Sequence, residues 1–259
     1  MPIMGISLLT NQQIFNAYLV WADQQFQLSF MGETLPTSWM ITIDATLSFS
    51  MLVAVAAFWA FVGKRTGNEP DELGKMILGC AFIVGGAACL YMAAATQGTG
   101  KIGLFWPVMF HLVNSIGFAH LLPVSLALFT RLAPRALNAS IVGIYYLAFF
   151  GANLAVGKIG TLFSTMPTTT FWLLHMASAA VALIGFGLFK LLFAKRLMGT
   201  PDARHRLPAA DRPAASGPRG RWFLWGAEGA KWGAGIGFTL ALVVFSGGSY
   251  AFIKGMRGR

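Results

Sequence analysis

The run from Trp106 to Pro134 is the sequence feature that most constrains the fold. It is apolar over more than the roughly 20 residues that an α-helix needs to cross a bilayer. Three polar side chains nevertheless lie inside it, those of His111, Asn114 and His120. Polar groups in hydrocarbon are costly and usually face a bundle interior or a water-filled path. The run therefore predicts a membrane helix that lines a transport path rather than one that only anchors the chain.

Similar apolar runs recur along the chain, which is 56% hydrophobic and only 11% charged. This composition excludes an ordinary soluble domain and predicts an all-α, polytopic membrane helix bundle. Further helices are expected at about 1–22, 39–62, 76–95, 139–156 and 171–193. We therefore expect three parts: a six-helix bundle over 1–196, a flexible basic cytoplasmic linker over 197–221, and an additional membrane or interfacial helix over 222–259.

Charge predicts the orientation of this bundle in the membrane. The net charge of +10 comes from Lys and Arg between the apolar runs and in one tail, and no folded nucleic-acid-binding motif accompanies it. By the positive-inside rule, the connections at 63–75 and 130–138 and the segment beyond 195 face the cytoplasm. The loop after the first helix, residues 23–38, has no Lys or Arg and is placed outside.

Motifs of enzymes and metal sites are absent from the sequence. It has no H-E-x-x-H, G-x-S-x-G or Cys-x-x-Cys pattern and no phosphate-binding glycine loop followed by Lys. His111 and His120 lie nine residues apart, so they point to opposite sides of one helix and do not form a two-His metal pair from that helix alone. We expect no enzyme activity, no cofactor and no metal.

Polar residues within the predicted helices are the candidates for a site. Gln13 and Asn16 share a helical face in the first helix, where they either bond a neighbouring helix or line a substrate path. Asp44, near the outer end of the second helix, is either a proton-binding group or an interfacial residue that reaches water. His111 starts a stripe with Asn114 and Phe118 on the central helix.

His111 is a second candidate for proton binding, because imidazole changes its charge between pH 5 and 8 in water. The alternative is that it only hydrogen-bonds a neighbouring helix.

The central helix also carries a family resemblance. Gly117, Pro123 and Leu126, followed by the Leu-Ala-Pro at 132–134, resemble the tenth helix of the proton-dependent oligopeptide transporters, a branch of the major facilitator superfamily. Residues 28–39 resemble the loop before that family's eighth helix, Gln13 falls at its seventh-helix glutamine, and residues 143–153 resemble its eleventh helix. The resemblance covers about residues 5–193.

The resemblance implies the C-terminal six-helix half of a twelve-helix transporter. The family's N-terminal half, with its E-x-x-E-R proton-coupling motif, is then expected to be missing or separately encoded. Three positions depart from the family: Phe118 replaces a glutamate, Asp44 replaces an asparagine and is followed by Ala45 rather than proline, and Tyr145 replaces a tryptophan. A phenylalanine neither carries a proton nor pairs with an ammonium group.

The function expected from this resemblance is proton-coupled transport of a small solute, such as a short peptide, by alternating access in a bacterial inner membrane. The alternative is a membrane scaffold or accessory subunit that uses a glycine face at Gly229, Gly233 and Gly237. The expected partners are the lipid bilayer, the solute, protons and an N-terminal half. The candidate substrate-binding residues are Gln13, Asn16, Asp44, His111, Asn114, Phe118 and Tyr145, with Asp44 and His111 also the proton-coupling candidates.

Overall fold

The structure, a computed structural model, describes residues 2–30, 32–67, 69–133 and 137–198. The described residues up to Leu188 belong to one compact unit. All side chains discussed below lie in this unit. The predicted linker beyond residue 198 and the predicted helix at 222–259, with its glycine face, lie outside the described residues.

The N-terminal segment is helical but broken. It consists of α1 (Pro2–Ser7), α2 (Leu9–Gln12), a 3-10 turn over 13–15, and α3 (Ala17–Gln25). The prediction of one continuous helix over 1–22 is therefore wrong. At the last break Asn16 has a non-helical backbone, with φ −132° and ψ −111°.

The break is tolerated because it lies inside the protein. Leu8, between α1 and α2, and Ile14, in the 3-10 turn, are both 0% exposed. Irregular backbone at membrane depth occurs where protein rather than lipid surrounds it. The Asn16 side-chain amide Nδ2 donates a hydrogen bond, 3.3 Å long, to the backbone carbonyl of Val156 in the helix Asn138–Gly160. Asn side chains favour such contacts with backbone groups over a regular helix interior, which a count of apolar residues does not register.

Five long helices follow, and their positions confirm the apolar runs. Four of them extend a few residues beyond a predicted end, because the polar flanks continue the helix past the apolar run, and the central one begins one residue before its predicted start. In the described part of the chain, these five are the helices long and apolar enough to cross a membrane. They are α4 (Trp39–Thr66), α5 (Glu72–Ala95), α6 (Phe105–Leu132), α7 (Asn138–Gly160) and α8 (Thr168–Met198).

The connections lie at alternating ends of the bundle. At one end α3 is followed by a short antiparallel hairpin of β1 (Ser29–Phe30) and β2 (Glu33–Thr34). The loop before α6 lies at the same end, because the backbone nitrogen of Gln27 donates a hydrogen bond to the carbonyl of Ile102 in that loop. At the other end Arg131 Nη1 lies 2.7 Å from Glu72 Oε1. The connections at 63–75 and 130–138 therefore share one end, as the charge pattern requires.

α5 and α6 pack at very short distance through glycine. A Cβ built on Gly79 would lie 2.8 Å from the carbonyl oxygen of Gly117, and one on Gly117 would lie 2.7 Å from that of Gly79. A third glycine of α5, Gly86, faces the backbone of Asn114. The small residues of α5 thus allow the close backbone approach that is common between membrane helices, and they bring α6 into the centre of the bundle.

The outer surfaces of α4, α7 and α8 carry large apolar side chains. Phe61 is 59% exposed, Leu147 63% and Ile184 60%. Such a surface would be a liability in water but suits contact with lipid chains. On α4 the buried residues are Met40 and Asp44, so its one buried polar side chain points inward.

Candidate functional site

Asp44 and His111, separate candidates in the sequence, are hydrogen-bonded to each other. The Asp44 carboxylate oxygen Oδ1 lies 3.0 Å from His111 Nδ1, which joins α4 to α6. His111 is 0% exposed and Asp44 is 6% exposed. The Asp44 side chain is therefore buried against α6, and its role in proton binding stays a prediction.

A third residue, Tyr18 of α3, completes this group. Its hydroxyl oxygen lies 2.9 Å from His111 Nε2, and Tyr18 is fully buried. His111 thus has a partner on each ring nitrogen, and the three side chains form what we call the Tyr18–His111–Asp44 triad. The sequence analysis missed Tyr18, because nothing in the spacing of a single aromatic residue shows which helix it faces.

Protonation of His111 can leave both hydrogen bonds of its ring in place. With neutral His111, Nδ1–H donates to the Asp44 carboxylate and Nε2 accepts from the Tyr18 hydroxyl. With protonated His111 both nitrogens donate, and the Tyr18 hydroxyl can accept after rotating its hydrogen. The carboxylate then neutralises the imidazolium, which a buried charge requires.

The other two histidines in the described helices lack this property. His120 Nδ1–H donates to the Ile116 carbonyl at 2.8 Å, while Nε2 accepts from the indole Nε1–H of Trp59 at 3.1 Å. Because indole nitrogen is only a donor, protonation of His120 would break that contact. His175 Nδ1–H donates to the Phe171 carbonyl, and its buried Nε2 has no hydrogen-bond partner. Among the histidines in the described helices, His111 is thus the one whose two ring nitrogens both have partners that can accept an N–H.

Aromatic rings surround the Tyr18 end of the triad. The ring of Tyr18 meets that of His111 edge-on, with centroids 5.3 Å apart, and also contacts Phe26, Phe110 and Trp172. These rings exclude water, which strengthens the electrostatic interactions within the triad. They belong to the main buried cluster of the bundle.

Polar groups continue along α6 from the triad. One turn further, Ser115 and Ser48 are hydrogen-bonded at 3.1 Å, so α4 and α6 run side by side in the same direction here. Asn114, also one turn from His111, is 0% exposed and neither its amide oxygen nor its nitrogen has a hydrogen-bond partner. Gln13 in the N-terminal segment is in the same situation. Such orphaned amides offer both donors and acceptors to a polar ligand.

The remaining candidates lie elsewhere in the bundle. Asn16 lies in the helix break, so it does not share a regular helical face with Gln13, and it bonds to α7. Phe118 is half-buried on α6. Tyr145 bonds the Ser125 hydroxyl at 2.9 Å and so lies at the contact of α6 with α7. In the described ranges, no group of three or more His, Cys, Asp or Glu side chains is placed to hold a metal ion.

Known proteins resemble this chain in sequence over about half of its length. The chain is 30% identical over 148 residues to the peptide transporter YePEPT of Yersinia enterocolitica, a match that covers 56% of this chain and 29% of that protein. It is 27% identical over 156 residues to the uncharacterized transporter YclF of Bacillus subtilis, covering 59% and 30%. No protein-family model matches the chain.

Solved structures show the same fold. The crystal structure of peptide transporter POT in complex with sulfate superposes with a TM-score of 0.65 at 22% identity, covering 76% of this chain and 39% of that one. A POT family transporter in complex with 5-aminolevulinic acid gives 0.61 at 17% identity, covering 76% and 40%. The chain therefore spans about 30% of the length of its curated relatives and about 40% of these structures.

These matches confirm the resemblance found in the sequence. The chain is a multi-pass membrane protein whose helices have the fold of about half of a proton-dependent oligopeptide transporter, within the major facilitator fold. Its curated relatives are bacterial.

Proposed function

We propose that this chain, which resembles the proton-dependent oligopeptide transporters in sequence and fold, is the C-terminal half of a secondary transporter that moves a small polar solute together with protons. The observation that carries the proposal is the buried Asp44–His111 contact at 3.0 Å. Ionisable residues inside a membrane bundle are costly and are found where protons or ions pass.

The partner of this half is an N-terminal six-helix half. In transporters of this superfamily, two halves rock against each other around a site at their interface, so one half supplies only part of that site. The chain spans about 30% of its curated relatives, which is why we assign the second half to another chain or to a missing segment.

Proton binding in this half rests on His111 rather than on position 118. Phe118 stands where the resembled family has a glutamate, and a phenyl ring cannot bind a proton. His111 lies seven residues, about two helical turns, before Phe118, so both project to one side of α6. Protonation of His111 leaves an imidazolium–carboxylate pair with no net charge, and deprotonation leaves the pair with the single negative charge of the Asp44 carboxylate.

The solute is a small polar molecule, of which a short peptide is the leading example. A relative named as a peptide transporter supports this class. In this chain the buried amides of Asn114 and Gln13 supply donors and acceptors that a peptide backbone can use. Their lack of protein partners supports a ligand role over packing alone.

The test is uptake by an assembled pair of halves. The chain is co-expressed with the N-terminal six-helix half of YePEPT, and the pair is reconstituted in proteoliposomes with a labelled dipeptide outside. We expect an inward proton gradient to drive accumulation, and a protonophore to abolish it. The proposal is contradicted if the assembled pair takes up no more dipeptide than either half alone, or if the gradient has no effect.

A matched pair of variants locates the effect. His111→Gln keeps hydrogen-bonding capacity but loses the titration, so the pH dependence of uptake should flatten. Tyr146→Phe is the control, because Tyr146 is 50% exposed on the outer surface of α7 and should leave the profile unchanged. A wild-type pH profile in His111→Gln would make His111 structural.

A further inference from the structure

We infer that Tyr18 is a positioning residue for proton binding at His111: its hydroxyl accepts from the protonated ring, donates to the neutral ring, and keeps Nδ1 turned toward Asp44. This inference rests on the proposed function, which assigns the proton to Asp44 and His111 without a role for α3. It is based on the 2.9 Å contact between the Tyr18 hydroxyl oxygen and His111 Nε2.

The chemistry of the partner on Nε2 decides whether a histidine can be protonated in place. A tyrosine hydroxyl both donates and accepts, so it satisfies Nε2 in either state. The same helix contains the opposite case, in which Trp59 donates to His120 Nε2 and cannot accept. His111 and His120 thus differ at Nε2, where the partner of His111 can accept a hydrogen bond and the partner of His120 cannot.

The Tyr18 hydroxyl is held in place by its ring. The ring packs against Phe26, Phe110 and Trp172, with centroids 5.7, 5.4 and 6.4 Å away. Tyr18 is the second residue of α3, directly after the helix break at Asn16. The break therefore sets the direction in which Tyr18 enters the bundle, and a side chain fixed in this way costs little entropy to keep at the ring nitrogen.

Other titratable groups contribute to the surroundings of His111. Asp44 reaches it from α4 and Tyr18 from α3. On α8, His175 packs against Trp172, which in turn contacts Tyr18. Cys89 and Tyr91 of α5 are partly buried against the same cluster. Asp44 is the group that balances the imidazolium charge, and Tyr18 is the group that satisfies its second N–H.

The variant Tyr18→Phe removes the hydroxyl but keeps the ring, so it tests the contribution of the hydroxyl alone. The phenyl ring retains the aromatic packing, so the bundle should still fold. The neutral ring of His111 then loses an ordinary hydrogen bond, whereas the protonated ring loses a stronger one made by a charged donor. The variant should therefore bind the proton less well, and proton-driven uptake should need a higher proton concentration than in the unmodified chain.

The decisive measurement needs no transport activity. The full chain is labelled with ¹⁵N-histidine in bilayers and followed by solid-state NMR across pH, with the His111 signals assigned from His111→Gln. In the unmodified chain we expect Nε2 of neutral His111 to be the unprotonated, hydrogen-bonded nitrogen. In Tyr18→Phe we expect its signal to move and its titration to shift to lower pH, while the His120 and His175 signals and the Tyr146→Phe control stay unchanged.

Two results would overturn the inference. One is a Tyr18→Phe sample whose His111 signals and titration match those of the unmodified chain. The other, which holds even if Tyr18→Phe fails to fold, is an unmodified chain in which neutral His111 carries its proton on Nε2. Neither result depends on uptake, so a failure of the inference is distinguishable from a failure of the proposed function, which would appear as absent proton-driven uptake by the unmodified pair.

Discussion

Gly117→Ala should separate the two most closely packed helices of the bundle. The new Cβ would lie 2.7 Å from the Gly79 carbonyl oxygen, 2.8 Å from Ile83 Cγ1 and 2.9 Å from the Ile83 backbone nitrogen. Two of these atoms belong to the backbone of α5, so no side-chain rotation relieves the overlap. α6 must move by about 0.7 Å to reach an ordinary contact distance of 3.4 Å. Overpacking of this kind costs about 2–3 kcal/mol.

Thermal unfolding of the full chain in detergent measures this cost. A thiol-reactive dye reports the exposure of Cys80, which is 0% exposed on α5, in a Cys89→Ala background. For a chain of this size, about 2–3 kcal/mol corresponds to a Tm lower by about 4–12 °C. The control is Gly157→Ala in α7, where an added Cβ meets nothing within 4 Å and Ala favours the helix. An unchanged Tm in Gly117→Ala would refute the close packing of α5 on α6.

Two further predictions concern the connection between α4 and α5. Asp71 is the N-cap of α5, and its side chain accepts a hydrogen bond from the Gly74 backbone nitrogen at 3.1 Å. Asp71→Ala should therefore lower the free energy of unfolding by about 1 kcal/mol, while Asp71→Asn should largely keep it. Equal losses in the two variants, measured by the same dye assay, would contradict the cap. A cysteine placed at Asn68 should react with an impermeant maleimide from the cytoplasmic side only, because Lys and Arg gather in this connection, and reaction from the outside only would reverse the orientation.

The long helices were predictable because each is a long, predominantly apolar run. From α4 to α8, burial in lipid or protein requires about 20 apolar residues in a row, and this length is visible in the sequence. The first helix was not predictable as a broken one. Asn16 finds its partner on α7, and such a tertiary contact outweighs local helix propensity without leaving a local signal.

The ionisable residues of the candidate site could be predicted from the sequence, but the contacts between them could not. Asp44 and His111 stand out because charged or titratable side chains are rare in membrane spans. Their contact depends on the relative rotation of α4 and α6, which the spacing of residues within one helix does not encode. Tyr18 carries no such signal in the sequence, because tyrosine is common in membrane helices, and its contact with His111 follows a helix break that was not predicted.

The most direct test of the account compares proton-driven uptake with solute exchange in Asp44→Asn. Both are measured on the assembled halves in the same proteoliposomes, exchange being followed as counterflow of labelled dipeptide without a proton gradient. The asparagine keeps the shape and a hydrogen-bond acceptor for His111 but cannot balance an imidazolium charge. We expect proton-driven uptake to be lost while exchange is retained. Proton-driven uptake at the wild-type rate in Asp44→Asn would contradict the central claim that Asp44 and His111 bind the coupled proton.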